Sequence, residues 1–169
     1  MTIEQLGNIG EFVAAIATVI TLLYLAFQLR QNTRALRATA FQSVVSEMGK
    51  NVEPLMNNSD LADVFVKGAA APETLTPSER VRVNSLYVAT FRRLEAVYVQ
   101  YTLGTMEEGN KRGFEDSIIP LLKTSYGQDW WREAKKSFYE PYVSYIDDRL
   151  AKGDVLQRSP SMQVGDSSQ

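Results

Sequence analysis

The chain has 169 residues, a formal net charge of −2 from 18 basic and 20 acidic side chains, and neither Cys nor His. Those absences exclude disulfides, thiolate and imidazole catalysis and the usual zinc and haem ligand sets, so any metal would be a hard cation held by carboxylates, and no cofactor is expected. The weak, mixed charge offers no basic surface for nucleic acid, and the length suits an anchor plus one domain of about 100–125 residues.

Residues 1–8 form a short polar lead. Residues 12–27, FVAAIATVITLLYLAF, hold fourteen apolar residues of sixteen, the exceptions being Thr18 and Thr21. Extended to residues 9–29, the run is long enough at about 1.5 Å per residue to cover the roughly 30 Å hydrocarbon core of a bilayer. A cleaved signal peptide requires a basic start, whereas residues 1–11 contain two Glu and no Lys or Arg. A buried core helix would show a polar face and an interfacial helix a charged one, and this stretch has neither. It reads as a transmembrane helix, with the amino terminus outside and all that follows Leu29 in the cytoplasm, because the nearby arginines all lie after it.

Those arginines, Arg30, Arg34 and Arg37, share one helix face and are either lipid-headgroup contacts or plain topology anchors. Apolar residues at Leu36, Ala40, Val44, Met48, Val52 and Met56 carry the helix on through residues 30–57, with a bend expected near Gly49. A second stripe through the same helix is small or polar: Glu11, Ala14, Thr18, Thr21, Gln28, Asn32 and Ala35, interrupted by Leu25 and continued by Thr39, Gln42, Ser46 and Gly49. Its alternating spacing of three and four is that of a helix-association seam. A lone helix with an unremarkable polar stripe is the alternative.

Residues 57–60 form a turn in which Ser59 or Asp60 caps a short helix at 61–67, and 68–77 is a loop. Thr76, Pro77 and Glu79 are N-cap, first-turn proline and capping-box partner of a helix predicted over 77–103. A helix at 110–125 follows, presenting Phe114, Ile118, Leu121 and Leu122 and bent or shortened by Pro120. After a turn at 126–129 comes a last helix over 129–152, kinked at Pro141, and then a disordered tail at 153–169. The fold class is all-α: one transmembrane helix continuing into a cytoplasmic bundle of about four helices, whose folded domain covers 60–152.

The adjacent carboxylates Glu107–Glu108, Glu115–Asp116 and Asp147–Asp148 point about 100° apart on a helix and read as solvated surface. No phosphate loop or nucleophile motif is present, so the chain is not expected to be an enzyme. Glu95 falls among aromatic residues and requires partners. A buried polar network of Glu95, Tyr98, Tyr101, Trp130 and Trp131 is expected, with a small pocket for a polar or cationic ligand as the alternative.

The segments EQLGNIGEFVAAIATVITLLYLAFQLRQNTRALRA, RLEAVYVQYTLG and DWWREAKKSFYEPYVSYID, in that order, resemble a family of small uncharacterised bacterial single-pass inner-membrane proteins with an N-terminal anchor and a helical cytoplasmic part. The resemblance covers residues 3–150 and is most specific at LAFQLRQNTRAL, while Ala96 and Val99 stand where the family has Asn and Tyr. It implies location and fold and transfers no site residues. The expected function is a non-catalytic scaffold in contact with membrane lipids that assembles with itself or with a membrane-protein partner. The alternatives are a homo-oligomeric pore lined by the polar stripe and a small-ligand sensor at Glu95.

Overall fold

The computed structural model describes residues 3–153, which form six α-helices joined by short connections, three of them 3-10 segments, with no strand among the described residues. The all-α class expected above is the one observed, with a long apolar helix at the N-terminal end. Of the tail expected at 153–169, residues 154–169 lie outside the described residues.

The first helix, α1, runs from Ile3 to Asn57 without interruption. It therefore begins within the stretch expected as a polar lead, since nothing between Ile3 and Asn8 breaks a helix. It also passes through Gly49, where a bend was expected, and ends one turn after Pro54. The chain separates into two compact units, Met1–Thr39 and Ala40–Gln169. In the first, α1 is the only described element, and every residue from 10 to 39 is exposed. Among the described residues, α1 alone is long and apolar enough to cross a membrane, with a mean hydropathy of 2.2 over its most apolar 18-residue window and none of that window buried.

The second unit includes the last part of α1. Phe41, Val44 and Met48 pack there with Val97, Met106 and Phe114, so the compact unit begins well before residue 60. Next comes α2 (Ser59–Ala70), capped by Asn58 rather than by Ser59 or Asp60. The Asn58 side-chain oxygen accepts the Leu61 N–H at 3.0 Å, satisfying one of the orphan donors of the first turn.

Helix α3 (Pro77–Thr102) starts on the expected capping box, with Thr76 Oγ1 accepting from Glu79 N–H and the Glu79 carboxylate accepting from Thr76 N–H at 2.7 Å. Its buried residues, Val83, Tyr87, Phe91, Leu94 and Val97, step by three and four along one face. That face packs against α2, α4 (Glu108–Ile118) and α6 (Glu140–Ala151).

Two proline expectations change. Pro120 ends α4 at Ile118, and the chain continues as a 3-10 segment, Ile119–Lys123, because a proline ring clashes with the carbonyl four residues back. Pro141 does not kink a helix; it sits in the first turn of α6, where its missing N–H costs nothing. The helix expected over 129–152 is thus two, α5 (Ser125–Ala134) and α6, separated by the 3-10 segment Lys135–Ser137. The turn expected at 126–129 is the first part of α5. Thr124 caps it by accepting the Gly127 N–H at 3.0 Å, and a Cβ on Gly127 would lie 2.0 Å from the Leu121 carbonyl oxygen, so only glycine permits that approach.

Lys67 Nζ on α2 bonds Glu79 at 2.8 Å. This bond, with those from Thr76, lowers the Glu79 carboxyl to about 2 from its ordinary 4.5. A depressed folded-state value contributes stability that is complete above the unfolded value and is lost as pH falls through the folded one. Thermal melts between pH 4.5 and 2 should therefore show a steeper loss for the wild type than for Glu79→Gln. Parallel curves would remove this linkage.

Candidate functional site

In the first unit, Glu11, Ala14, Thr18, Thr21, Gln28 and Asn32 are all exposed on α1. The threonines are already satisfied: Thr18 Oγ1 donates to Ala14 O and Thr21 Oγ1 to Ala17 O, both at 2.8 Å. With their hydroxyl hydrogens committed to the preceding turn, they offer a neighbour small volume and acceptor lone pairs rather than donors. Gln28 Nε2 likewise donates to the Tyr24 hydroxyl at 3.0 Å. Arg30, Arg34 and Arg37 are exposed on the same helix.

In the second unit, the predicted network of Glu95, Tyr98, Tyr101, Trp130 and Trp131 does not exist as one cluster. Glu95 accepts from Arg92 Nη1 at 2.9 Å and from the Tyr139 N–H at 2.6 Å, while Arg92 Nη2 reaches Ser137 O at 2.8 Å and its guanidinium lies 4.1 Å from the Phe138 ring centre. This pair clamps the bend between α5 and α6, and both Glu95 oxygens are engaged. Trp130 Nε1 donates to Asn84 Oδ1 at 2.9 Å, and Trp131 Nε1 to Asp147 Oδ1 at 2.8 Å, where Lys135 also bonds. The adjacent indoles turn to different sides of α5 because successive helical residues diverge by about 100°. Tyr98 makes tilted ring contacts with Tyr142 and Tyr145, and Tyr101 faces the Lys111 ammonium at 4.5 Å.

The buried charges lie instead between α4 and α6, on Lys111 and Arg149 and on Glu115, which was expected at the surface. Glu115 is 1% exposed, Lys111 6% and Arg149 9%. Arg149 spans Glu115 (2.6 Å) and Asp116 (2.9 Å), Lys111 Nζ donates to the Tyr145 hydroxyl at 2.6 Å and lies 3.3 Å from Glu115, and Tyr145 donates to Glu115 at 2.8 Å. Burial opposes the charged form of Lys111, but Tyr145 and Glu115 outweigh it and raise its pKa; Arg149 is raised likewise against the same opposition. Both shifts favour the charged forms of Lys111 and Arg149 within this cluster. A cavity of about 130 Å³ adjoins the cluster. The signal available in the sequence was the spacing of Lys111, Glu115, Ile119 and Leu122, which is that of a buried helical stripe with charges at two positions.

Room for a ligand lies away from Glu95, in an open groove of about 940 Å³ between the start of α3 and α5. Leu75, Tyr126 and Trp130 supply its buried apolar surface, and Arg80, Asp129 and Glu133 are among its charged residues. Burial pushes the Tyr126 phenol up, and Asp129 and Glu133 are paired with Arg132 at 3.0 Å and Lys136 at 2.7 Å. No group of three or more Asp or Glu carboxylates forms a metal site among the described residues.

Comparison with protein-family models, curated proteins and solved structures finds no match to this chain.

Removing one member of a compensated buried cluster strands the others. Glu115→Leu should cost about 3–5 kcal/mol in denaturant unfolding, while Lys111→Met/Glu115→Leu/Arg149→Met, which removes the main charges together, should recover most of that loss. A single variant within 1 kcal/mol of the wild type would show that the cluster is hydrated rather than buried.

Proposed function

We propose that this chain is a single-pass inner-membrane protein of the bacterial type its sequence resembles, with α1 as the span. Its second unit lies on the cytoplasmic side and acts as a non-catalytic assembly or scaffolding domain. The observation that carries this reading is the exposure of the apolar stretch in α1: none of its most apolar window is buried, and Leu23, Tyr24 and Phe27 are each more than half exposed. In water that surface is unfavourable by about 25 cal/mol per Å², and lipid is the solvent it suits. Orientation is supported by three arginines after residue 29 against two glutamates before residue 12.

Self-association through the small stripe is the assembly mode best supported, since back-bonded threonines and Ala14 leave a low-relief surface on which a second backbone can approach. A pore has less support, because Thr18, Thr21 and Gln28 all turn hydrogen-bonding groups back onto their own helix.

With Ile3→Cys and Lys152→Cys in separate chains, an impermeant thiol reagent applied to intact spheroplasts should label position 3 and spare position 152. Labelling at 152 alone reverses the orientation, and a full-length chain recovered in the soluble fraction defeats the membrane reading.

The seam is tested by oligomer fraction in one mild detergent. Ala14→Leu, Thr18→Leu and Glu11→Leu should lower it, Glu11→Gln should retain most of it by keeping hydrogen-bonding capacity, and Ile16→Leu on another face should leave it unchanged. Equal fractions across the set would leave α1 a passive tether.

A further inference from the structure

Residues 12–46 contain three basic side chains, Arg30, Arg34 and Arg37, and no Asp, Glu or Lys. In the unbroken helix α1 they are all exposed. At about 100° per residue the three fall within an arc of about 60°, and the middle of that arc lies about 130–170° around the helix from Gln28, Asn32 and Ala35 of the seam. At about 1.5 Å per residue they stand about 2, 8 and 12 Å beyond Leu29, the last residue of the apolar run. A headgroup layer is about 5–8 Å deep on each side of the hydrocarbon, so Arg30 and Arg34 lie within it. Arg37 is within a side chain's length of it and within the screening distance of about 8 Å at physiological salt.

We propose that Arg30, Arg34 and Arg37 form a binding face for the phosphates of anionic phospholipids where α1 leaves the bilayer; this rests on the membrane-spanning reading above. Guanidinium is the side-chain group best matched to such a partner, because its planar fork donates two parallel hydrogen bonds to a phosphodiester and it is weakly hydrated. No Asp or Glu lies within one helical turn of these arginines along α1. The face points away from the seam, so a chain paired through Ala14, Thr18 and Asn32 keeps its arginines turned outward to lipid. Association and lipid binding are therefore compatible.

The test uses the full chain reconstituted in phosphatidylcholine vesicles that carry either spin-labelled phosphatidylglycerol or spin-labelled phosphatidylcholine as a trace. Flotation after carbonate extraction first establishes insertion in the same vesicles. Electron spin resonance then gives the motionally restricted fraction of each label. The inserted wild type should prefer phosphatidylglycerol about fivefold or more at low salt, falling toward parity in 1 M salt, where screening reaches about 3 Å. R30Q/R34Q/R37Q should lose the preference, and R30K/R34K/R37K should keep most of it because the charge remains. Should the triple Gln variant fail to insert, R34Q/R37Q retains the boundary residue Arg30 and should show a reduced preference. Equal restricted fractions for an inserted wild type, or a preference that survives the Gln substitutions, overturns the lipid face and leaves the span standing. A wild-type chain that does not float overturns both.

Discussion

Phe91, with no exposed surface, lies within 6.1 Å, ring centre to ring centre, of Tyr87, Trp130 and Trp131. Its position on α3 makes that helix the one against which the second unit is built. The stacked aromatic side chains of α3 bring large buried area at low rotamer cost, since each has only two side-chain torsions to fix, and offset or tilted ring pairs add about 0.5–1.5 kcal/mol beyond area alone. Tyr142 at the start of α6 completes the same layer, 6.2 Å from Trp131 and 5.7 Å from Tyr98. With α3 fixed, the last turn of α2 is held to the start of α3 through Lys67 and Glu79, and the bend before α6 to the middle of α3 through Arg92 and Glu95.

Charge in this unit is used as a set of clamps. Each joins elements at a place where the aromatic layer alone would leave polar backbone or side-chain groups uncovered. The Arg92 and Glu95 pair satisfies the carbonyl of Ser137 and the N–H of Tyr139 at a bend that has no helical partner for either. The Lys111, Glu115 and Arg149 cluster is costlier, because desolvating three charges offsets most of their mutual attraction. What such a cluster provides is geometry: α6 has one register in which Arg149 meets both carboxylates of α4.

The two long helical patterns were legible from sequence for different reasons. The apolar run in α1 needs only counting, and α3 announces itself by its capping box and by an apolar period that runs from Val83 to Val97. Elements at the other end of the chain were harder to place. Pro141 is compatible both with a kink inside one helix and with the first turn of another, and only the bend held by Arg92 and Glu95, more than forty residues earlier, selects the second. Gly127 looked like a turn residue because glycine usually marks one, whereas here it permits contact between α5 and the Leu121 carbonyl. Glu115 and Asp116 looked solvated because local sequence carries no trace of Arg149, whose approach makes burial tolerable. Tryptophans adjacent in sequence suggested one shared network; helical geometry separates their N–H groups.

The clamp between Glu115 and Arg149 also has a temporal side. Its partners are 34 residues apart, and Trp131 depends in the same way on Asp147, also on α6. During synthesis, α4 leaves the ribosome while the chain that will become α6 is still inside the exit tunnel. Until residue 149 emerges, Glu115 and Lys111 keep their water, and the aromatic layer on α3 stays open on the side that Tyr142 will close. At about 5–20 residues per second, that interval is of the order of seconds. A nascent chain of this design therefore completes α1, the helix long and apolar enough to cross a membrane, well before its second unit can close.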